Sequence, residues 1–185
     1  MSIVVALVGR RIDAKDATEP RFPLAMVPVV RDRLRALFRE SGVTTLVSAA
    51  ANGSDLIALE EAGNLGIRCV VILAADRNQF REGSVADRPG EWLALYDRVL
   101  NEVEAKGDLH VIGTTLDQDA FTRVNTRILD EAARIASDAN EPLQSFVVWN
   151  GRSRGGGDLT EEFLVEARGR GIPVLEIDTS PEPAG

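Results

Sequence analysis

The chain has 185 residues, an apolar fraction of 44% and a formal charge of −8 from 21 basic and 29 acidic side chains. That is ample for one packed core. It is too acidic for general duplex binding, which relies on Lys and Arg neutralising phosphates, so no general DNA binding is expected. One cysteine, Cys69, and one histidine, His110, exclude an internal disulfide framework and the usual Cys/His zinc sets, so neither a metal nor a cofactor is expected. The apolar start, Met1 to Val8, lacks a basic flank and is too short to span a bilayer. A soluble, cytoplasmic chain without membrane contact is the expectation.

In chain order, short continuous apolar runs fall at Ile3 to Val8, Thr44 to Val47, Arg68 to Leu73, Leu109 to Ile112, Ser145 to Trp149 and Val174 to Ile177. Runs of this kind mark parallel strands covered by helices on both faces. Between them the apolar period turns helical. Val27, Val30, Leu34 and Leu37 form one stripe, and Leu56, Leu59 and Ala62 another after Ser54 or Asp55 as cap. Val124, Ile128 and Ile135 follow Phe121, and Phe163, Leu164 and Ala167 follow Thr160, Glu161 and Glu162. The pattern predicts an α/β fold: a doubly wound, mainly parallel sheet of about six strands with helices on both faces. One domain over residues 1–179 is expected, with a polar, Pro-rich frayed tail over 180–185.

Ligands of such sheets bind outside the carboxyl ends of the strands, so the loops there carry the candidate site. The first is Gly9-Arg10-Arg11, where glycine permits a close turn and the arginines offer charge. The second, Ser48-Ala49-Ala50-Ala51-Asn52-Gly53-Ser54-Asp55, joins strand to helix through small residues, as an anion site at a helix start requires. A tight connection packed for its own sake would look the same. The third, Asn150-Gly151-Arg152-Ser153-Arg154-Gly155-Gly156-Gly157-Asp158-Leu159-Thr160, holds three consecutive glycines, costly in chain entropy unless something approaches the backbone closely. A surface connection is the plain alternative.

A fourth stretch, Asp76 to Trp92, is long for a strand–helix connection. Its Arg77, Arg81 and Arg88 suit phosphates and Phe80, Trp92 and Tyr96 suit a base, although aromatics just inside a helix commonly pack on the core.

These loops resemble the SLOG superfamily, a Rossmann-like group related to the Lonely-guy phosphoribohydrolases and to DNA-processing protein A. The likeness covers nearly the whole chain and rests on Val8 to Asp13, Ser48 to Asp55 and the late glycine-rich loop with Thr160. It implies a pocket for a nucleotide or nucleotide-derived ligand, and relatives commonly pair with copies of themselves, which implies a homo-oligomer. Lonely-guy enzymes carry Pro-Gly-Gly-x-Gly-Thr-x-x-Glu with a catalytic glutamate. Here Phe163 stands three residues after Thr160, and Glu162 lies one position early, about 100° around a helix.

The sequence thus reads as a binding or sensing module, with phosphate held by Gly53, Ser54, Gly156, Gly157 and Thr160 at helix N-termini. Gly9, Arg10, Arg11, Ser48, Ala49, Ala50, Asp55, Arg77, Asn150, Gly151, Arg152 and Gly155 complete the expected ligand set. The alternative is a hydrolase cleaving the N-glycosidic bond of a nucleoside monophosphate, with Glu162 as its catalytic carboxylate.

Overall fold

A computed structural model describes residues 1–181. From 182 onward, the tail expected at 180–185 lies outside the described residues. Six strands, β1 (Ile3–Gly9), β2 (Val43–Ser48), β3 (Arg68–Leu73), β4 (Leu109–Val111), β5 (Leu143–Trp149) and β6 (Val174–Asp178), form one sheet. Their order is β4-β3-β2-β1-β5-β6, and every adjacent pair is parallel. The helices are α1 (Val27–Ser41), α2 (Ser54–Asn64), α3 (Arg77–Ser84), α4 (Trp92–Ala105), α5 (Gln118–Ala139) and α6 (Leu159–Gly169). The expected doubly wound α/β architecture is what forms.

Alternation along β1 shows why the sheet has two covered faces. Ile3, Val5 and Leu7 join the core shared with α1, α2 and α4, whereas Val4, Ala6 and Val8 join the one shared with α5 and α6. A strand buried on both sides has no polar face to reveal its period. On the first face, Val30, Leu34 and Phe38 of α1 are buried. Arg31 and Arg35 of that helix reach across to Glu61 of α2, which is 1% exposed. Gly42 ends α1 in the left-handed region at φ 63°, a conformation that favours glycine.

The stretch read as one long connection contains α3. Asp76 caps this helix, accepting from the amides of Asn78 at 2.9 Å and Gln79 at 3.1 Å. Only Phe80 and Ser84 of α3 are buried. Trp92 and Tyr96 open α4 and are core residues, with Phe80 stacked on Tyr96 at 6.2 Å between ring centroids. The packing reading holds for these aromatics.

The chain runs outward from β1 to β4, then returns to place β5 on the other side of β1. Strand order therefore reverses between β1 and β5, and the crevice at their carboxyl ends is the expected ligand position. Gly9 closes β1 there. A Cβ at Gly9 would lie 2.5 Å from Ser54 Cβ and 2.6 Å from the Val148 carbonyl oxygen. Gly9→Ala is expected to lower stability by about 1–3 kcal/mol through overpacking. Denaturant unfolding of the two proteins checks this, and equal midpoints would show that α2 and β5 yield freely.

Candidate functional site

Close packing at Gly9 turns Arg10 inward, where it is 4% exposed. Its guanidinium meets Asp158 in a two-pronged pair, Nη1 to Oδ1 at 2.6 Å and Nη2 to Oδ2 at 2.7 Å. Nη2 also donates to the Arg152 carbonyl at 2.7 Å and Nε to Asn150 Oδ1 at 3.3 Å. The group lies over the Trp149 ring, 5.4 Å from its centroid. Arg10 is fully engaged within the protein.

Asp158 is also the cap of α6. Its carboxylate accepts from the amides of Arg154 at 2.8 Å, Thr160 at 3.1 Å and Glu161 at 3.3 Å. Converging amides at a helix N-terminus normally suit an external anion. Here the chain supplies the anion itself. Burial pushes this carboxyl up, but the Arg10 guanidinium and the Arg154 and Glu161 amides outweigh it and hold it at about 2.

The start of α2 is closed as well. The Arg10 carbonyl accepts from the Ser54 amide at 3.1 Å and from Ser54 Oγ at 2.8 Å. Gly53, at φ 84°, packs so tightly that a Cβ would sit 2.8 Å from the Arg10 carbonyl oxygen and 2.9 Å from the Ile12 nitrogen. Asn52 Oδ1 accepts from the Ile12 amide at 3.1 Å, while Asn52 Nδ2 donates to the Ser84 carbonyl at 2.9 Å. The small residues of this loop serve close packing of the β1 loop onto α2. The expected cap of α2 shifts accordingly, with Gly53 rather than Ser54 or Asp55 preceding the helix, while Thr160, Glu161 and Glu162 stand in the first turn of α6 as expected, behind the Asp158 cap.

Beside these closed helix starts lies a cavity of about 610 Å³ at the β1/β5 reversal point. Of the sequence candidates, Gly9, Arg10, Arg11, Ala49, Asp55 and Thr160 line it. The others do not. Ser48, Ala50, Gly53 and Ser54 are buried beneath the loops. Gly151, Arg152, Gly155, Gly156 and Gly157 form an exposed loop outside the lining, and Asn150 is taken by Arg10. Arg77 points elsewhere, pairing with Glu104 at 2.5 Å and Asn101 at 2.9 Å. Glu162, one position out of phase on α6, turns toward α5 and accepts from Thr122 at 3.1 Å, outside the cavity lining.

Sequence reasoning passed over Arg21, Leu116 and Phe121, which line the same space, and kept Arg154 and Arg88 in the background. Arg21 arrives by a fold of the first loop, in which Asp13 accepts from the amides of Arg21 and Phe22, each at 3.0 Å. Its Nη1 donates to the Arg152 carbonyl at 3.1 Å and its Nη2 to Glu19 at 3.1 Å. Arg11 is paired with Asp87 at 2.7 Å. Arg154 stands apart: its guanidinium comes no closer to an acid than 3.9 Å, at Asp158 Oδ2. Burial and the charge of Arg10 push its pKa down, Asp158 opposes them in part, and Arg21 and Arg11 add to the lowering. A guanidinium held among cations without a close acid is prepared for an external anion. Leu116 and Phe121, both half-buried, form an apolar part of the wall. Asp55 lines the cavity with its carboxyl lifted to about 7 by burial, the Ala51 amide and Arg11 opposing only in part.

No family model matches the chain, and no curated protein matches it. Similar solved structures include DNA processing protein A from Streptococcus pneumoniae, at 16% identity and TM-score 0.43 over 93% of this chain and 58% of that one. They also include DNA processing protein A from Helicobacter pylori, described for its single-stranded DNA binding mode, at 18% identity and TM-score 0.44 over 92% of this chain and 74% of that one. The chain thus spans less than two thirds of the Streptococcus pneumoniae chain. No residue role is carried across at such identities. The expectation of no general DNA binding is nonetheless corrected against the Helicobacter pylori protein's described property. Net charge sums the whole surface, whereas Arg10, Arg11, Arg21 and Arg154 gather at one cavity of this acidic chain. Among the described residues, no helix is long and apolar enough to cross a membrane.

Two stability predictions follow from the carboxyls. Asp158→Ala leaves Arg10 buried without its partner and is expected to cost about 3–5 kcal/mol near neutral pH. The Asp158 pKa is lowered from 3.8 to about 2, so its contribution is complete above 3.8 and lost as pH falls toward 2. The gap between parent and variant in denaturant unfolding must therefore narrow on acidification through that window. Asp55 has the opposite sign. Its pKa is raised from 3.8 to about 7, so it favours the fold below 3.8 and loses that contribution as pH rises through 7. Thermal melting of Asp55→Asn is expected to show a greater gain over the parent at pH 8 than at pH 5.

Proposed function

We propose that the chain binds a nucleotide or nucleotide-derived small molecule in the cavity at the β1/β5 reversal point. Arginine side chains, rather than helix N-terminal amides, hold its phosphate. The observation that carries this reading is Arg154, a cation on the cavity wall with no acid closer than 3.9 Å. Arg11, Arg21 and Arg88 stand on the same wall, each paired with an acid of the protein, and add positive charge to that of Arg154 and the deeply committed Arg10. Planar guanidinium groups suit phosphate because their paired N–H donors match two oxygens at once. Leu116 and Phe121 give the cavity an apolar surface on which a base can pack. The volume of about 610 Å³ lies in the usual range for small-molecule sites. The earlier resemblance to the SLOG superfamily points to the same class of ligand.

Binding without cleavage is the favoured form, because Glu162 lies outside the cavity lining. Titration calorimetry against mono-, di- and cyclic nucleotides, ADP-ribose and a short single-stranded oligonucleotide tests the reading. A small nucleotide is expected to bind, and Arg154→Ala to weaken it by about tenfold or more, as loss of a charge-assisted contact implies. The same samples analysed chromatographically for free base separate binding from N-glycosidic cleavage. A folded protein that binds none of these at millimolar concentration, or an Arg154→Ala variant that binds as the parent does, overturns the proposal.

A further inference from the structure

Asp55 combines three properties that no other carboxyl among the described residues shares: it is buried, it lines the cavity, and one of its oxygens has no protein partner. It stands in the first turn of α2 and is 7% exposed. Its Oδ2 accepts from the Ala51 amide at 3.2 Å, and its Oδ1 takes part in no hydrogen bond. Gly9, Ala49 and Ala51 on the same wall carry no side-chain donor, and the donors of Ser84, Asn125 and Thr160, which also line the cavity, make no hydrogen bond to Asp55. Arg11, the cation that acts on Asp55, is already engaged by Asp87 at 2.7 Å. Oδ1 of Asp55 faces the cavity, where a donor brought to a largely buried carboxyl forms a charge-assisted hydrogen bond in place of one to water.

A bound ligand can supply that donor from its uncharged part but not from its phosphate, since two anions in contact repel. We infer that Asp55 is the specificity-determining residue of the cavity, accepting a hydrogen bond from a neutral donor on the ligand, a ribose hydroxyl or an exocyclic amine of the base. The inference deepens the nucleotide reading and rests on it. It divides the cavity into an arginine side that takes the charged part of the ligand and a carboxyl side that inspects the uncharged part.

Proton linkage follows. A ligand donor favours the ionised carboxyl, whose pKa burial has lifted to about 7, so binding expels a proton and tightens as pH rises through that value. The charged groups facing the same space are Arg10, Arg11, Asp13, Glu19 and Arg21 of the first loop, Arg88 after α3 and Arg154 before α6. From α5 and its approach the cavity receives Leu116, Phe121, Val124 and Asn125, none of them titratable. The histidine, His110, lies on β4 outside the lining.

The test uses phosphodiester probes, whose own charge stays constant between pH 6 and pH 8: 3′,5′-cyclic AMP, its 2′-deoxy analogue, the cyclic purine riboside monophosphate that lacks the amine, and ADP-ribose. Each is titrated into the parent and into Asp55→Asn, with thermal melting to confirm that the variant is folded. The parent is expected to bind about tenfold more tightly at pH 8 than at pH 6, and Asp55→Asn to lose that dependence. Removing the recognised donor weakens the parent about tenfold and the variant less than twofold. The 2′-deoxy probe showing this pattern identifies the ribose as its source; the probe without the amine showing it identifies the base. A variant that keeps both the pH dependence and the parent's discrimination overturns the role of Asp55 and leaves the nucleotide reading standing. A folded parent that binds no probe overturns both.

Discussion

The ion pair between Arg10 and Asp158 joins the first strand's exit to the last helix's entrance, and the rest of the candidate site is arranged around it. Burying two charges is unfavourable unless each finds full compensation. Arg10 finds it in a two-pronged carboxylate, two further acceptors and the face of Trp149. Asp158 finds it in the same guanidinium and three backbone amides. The pair locks the turn after β1 against α6, and the backbone of that turn then fills the start of α2.

One consequence is a change in what can hold a phosphate. In many doubly wound folds, amides at the helix starts receive it. Here the Asp158 carboxylate occupies the start of α6, and the Arg10 carbonyl takes the Ser54 amide at the start of α2. On the nucleotide reading proposed above, anion recognition passes to side chains whose charge remains outward, Arg154 above all. Side-chain clamps differ from amide cradles in that they can move apart, so on that same reading the glycine-rich segment before α6 matters as the carrier of Arg154 rather than as a cradle itself. Gly155 and Gly157 adopt φ of 96° and 78°, giving the loop turns that place Arg154 and Asp158 on the same side.

The sheet was legible in the sequence because parallel strands covered on both faces must be apolar throughout. β3 is found at the expected residues, and β1, β2, β5 and β6 differ from expectation by one or two positions at their ends. α3 was not legible, since eight residues with only Phe80 and Ser84 buried carry too little periodicity to separate them from a loop. For the site, the right edge of the sheet could be read, whereas the partner of each polar group could not. A glycine-rich loop before a helix looks identical whether its amides are open or closed. Asp158 meets an arginine 148 positions away, a distance over which local pattern carries no signal. Arg21 escaped notice for a related reason: its place on the wall depends on Asp13 gathering the loop around it, and on Thr179 Oγ1 donating to its carbonyl at 2.6 Å.

The rim of the sheet constrains how copies of this chain can meet. β4, the outermost strand on one side, has only three residues, and β6 on the other carries Glu176, held by Trp149 and Arg168. Brief borders and charged borders both discourage edge-to-edge strand addition. Helical surfaces, rather than the borders of the parallel ladder, are accordingly the less obstructed route by which copies could meet.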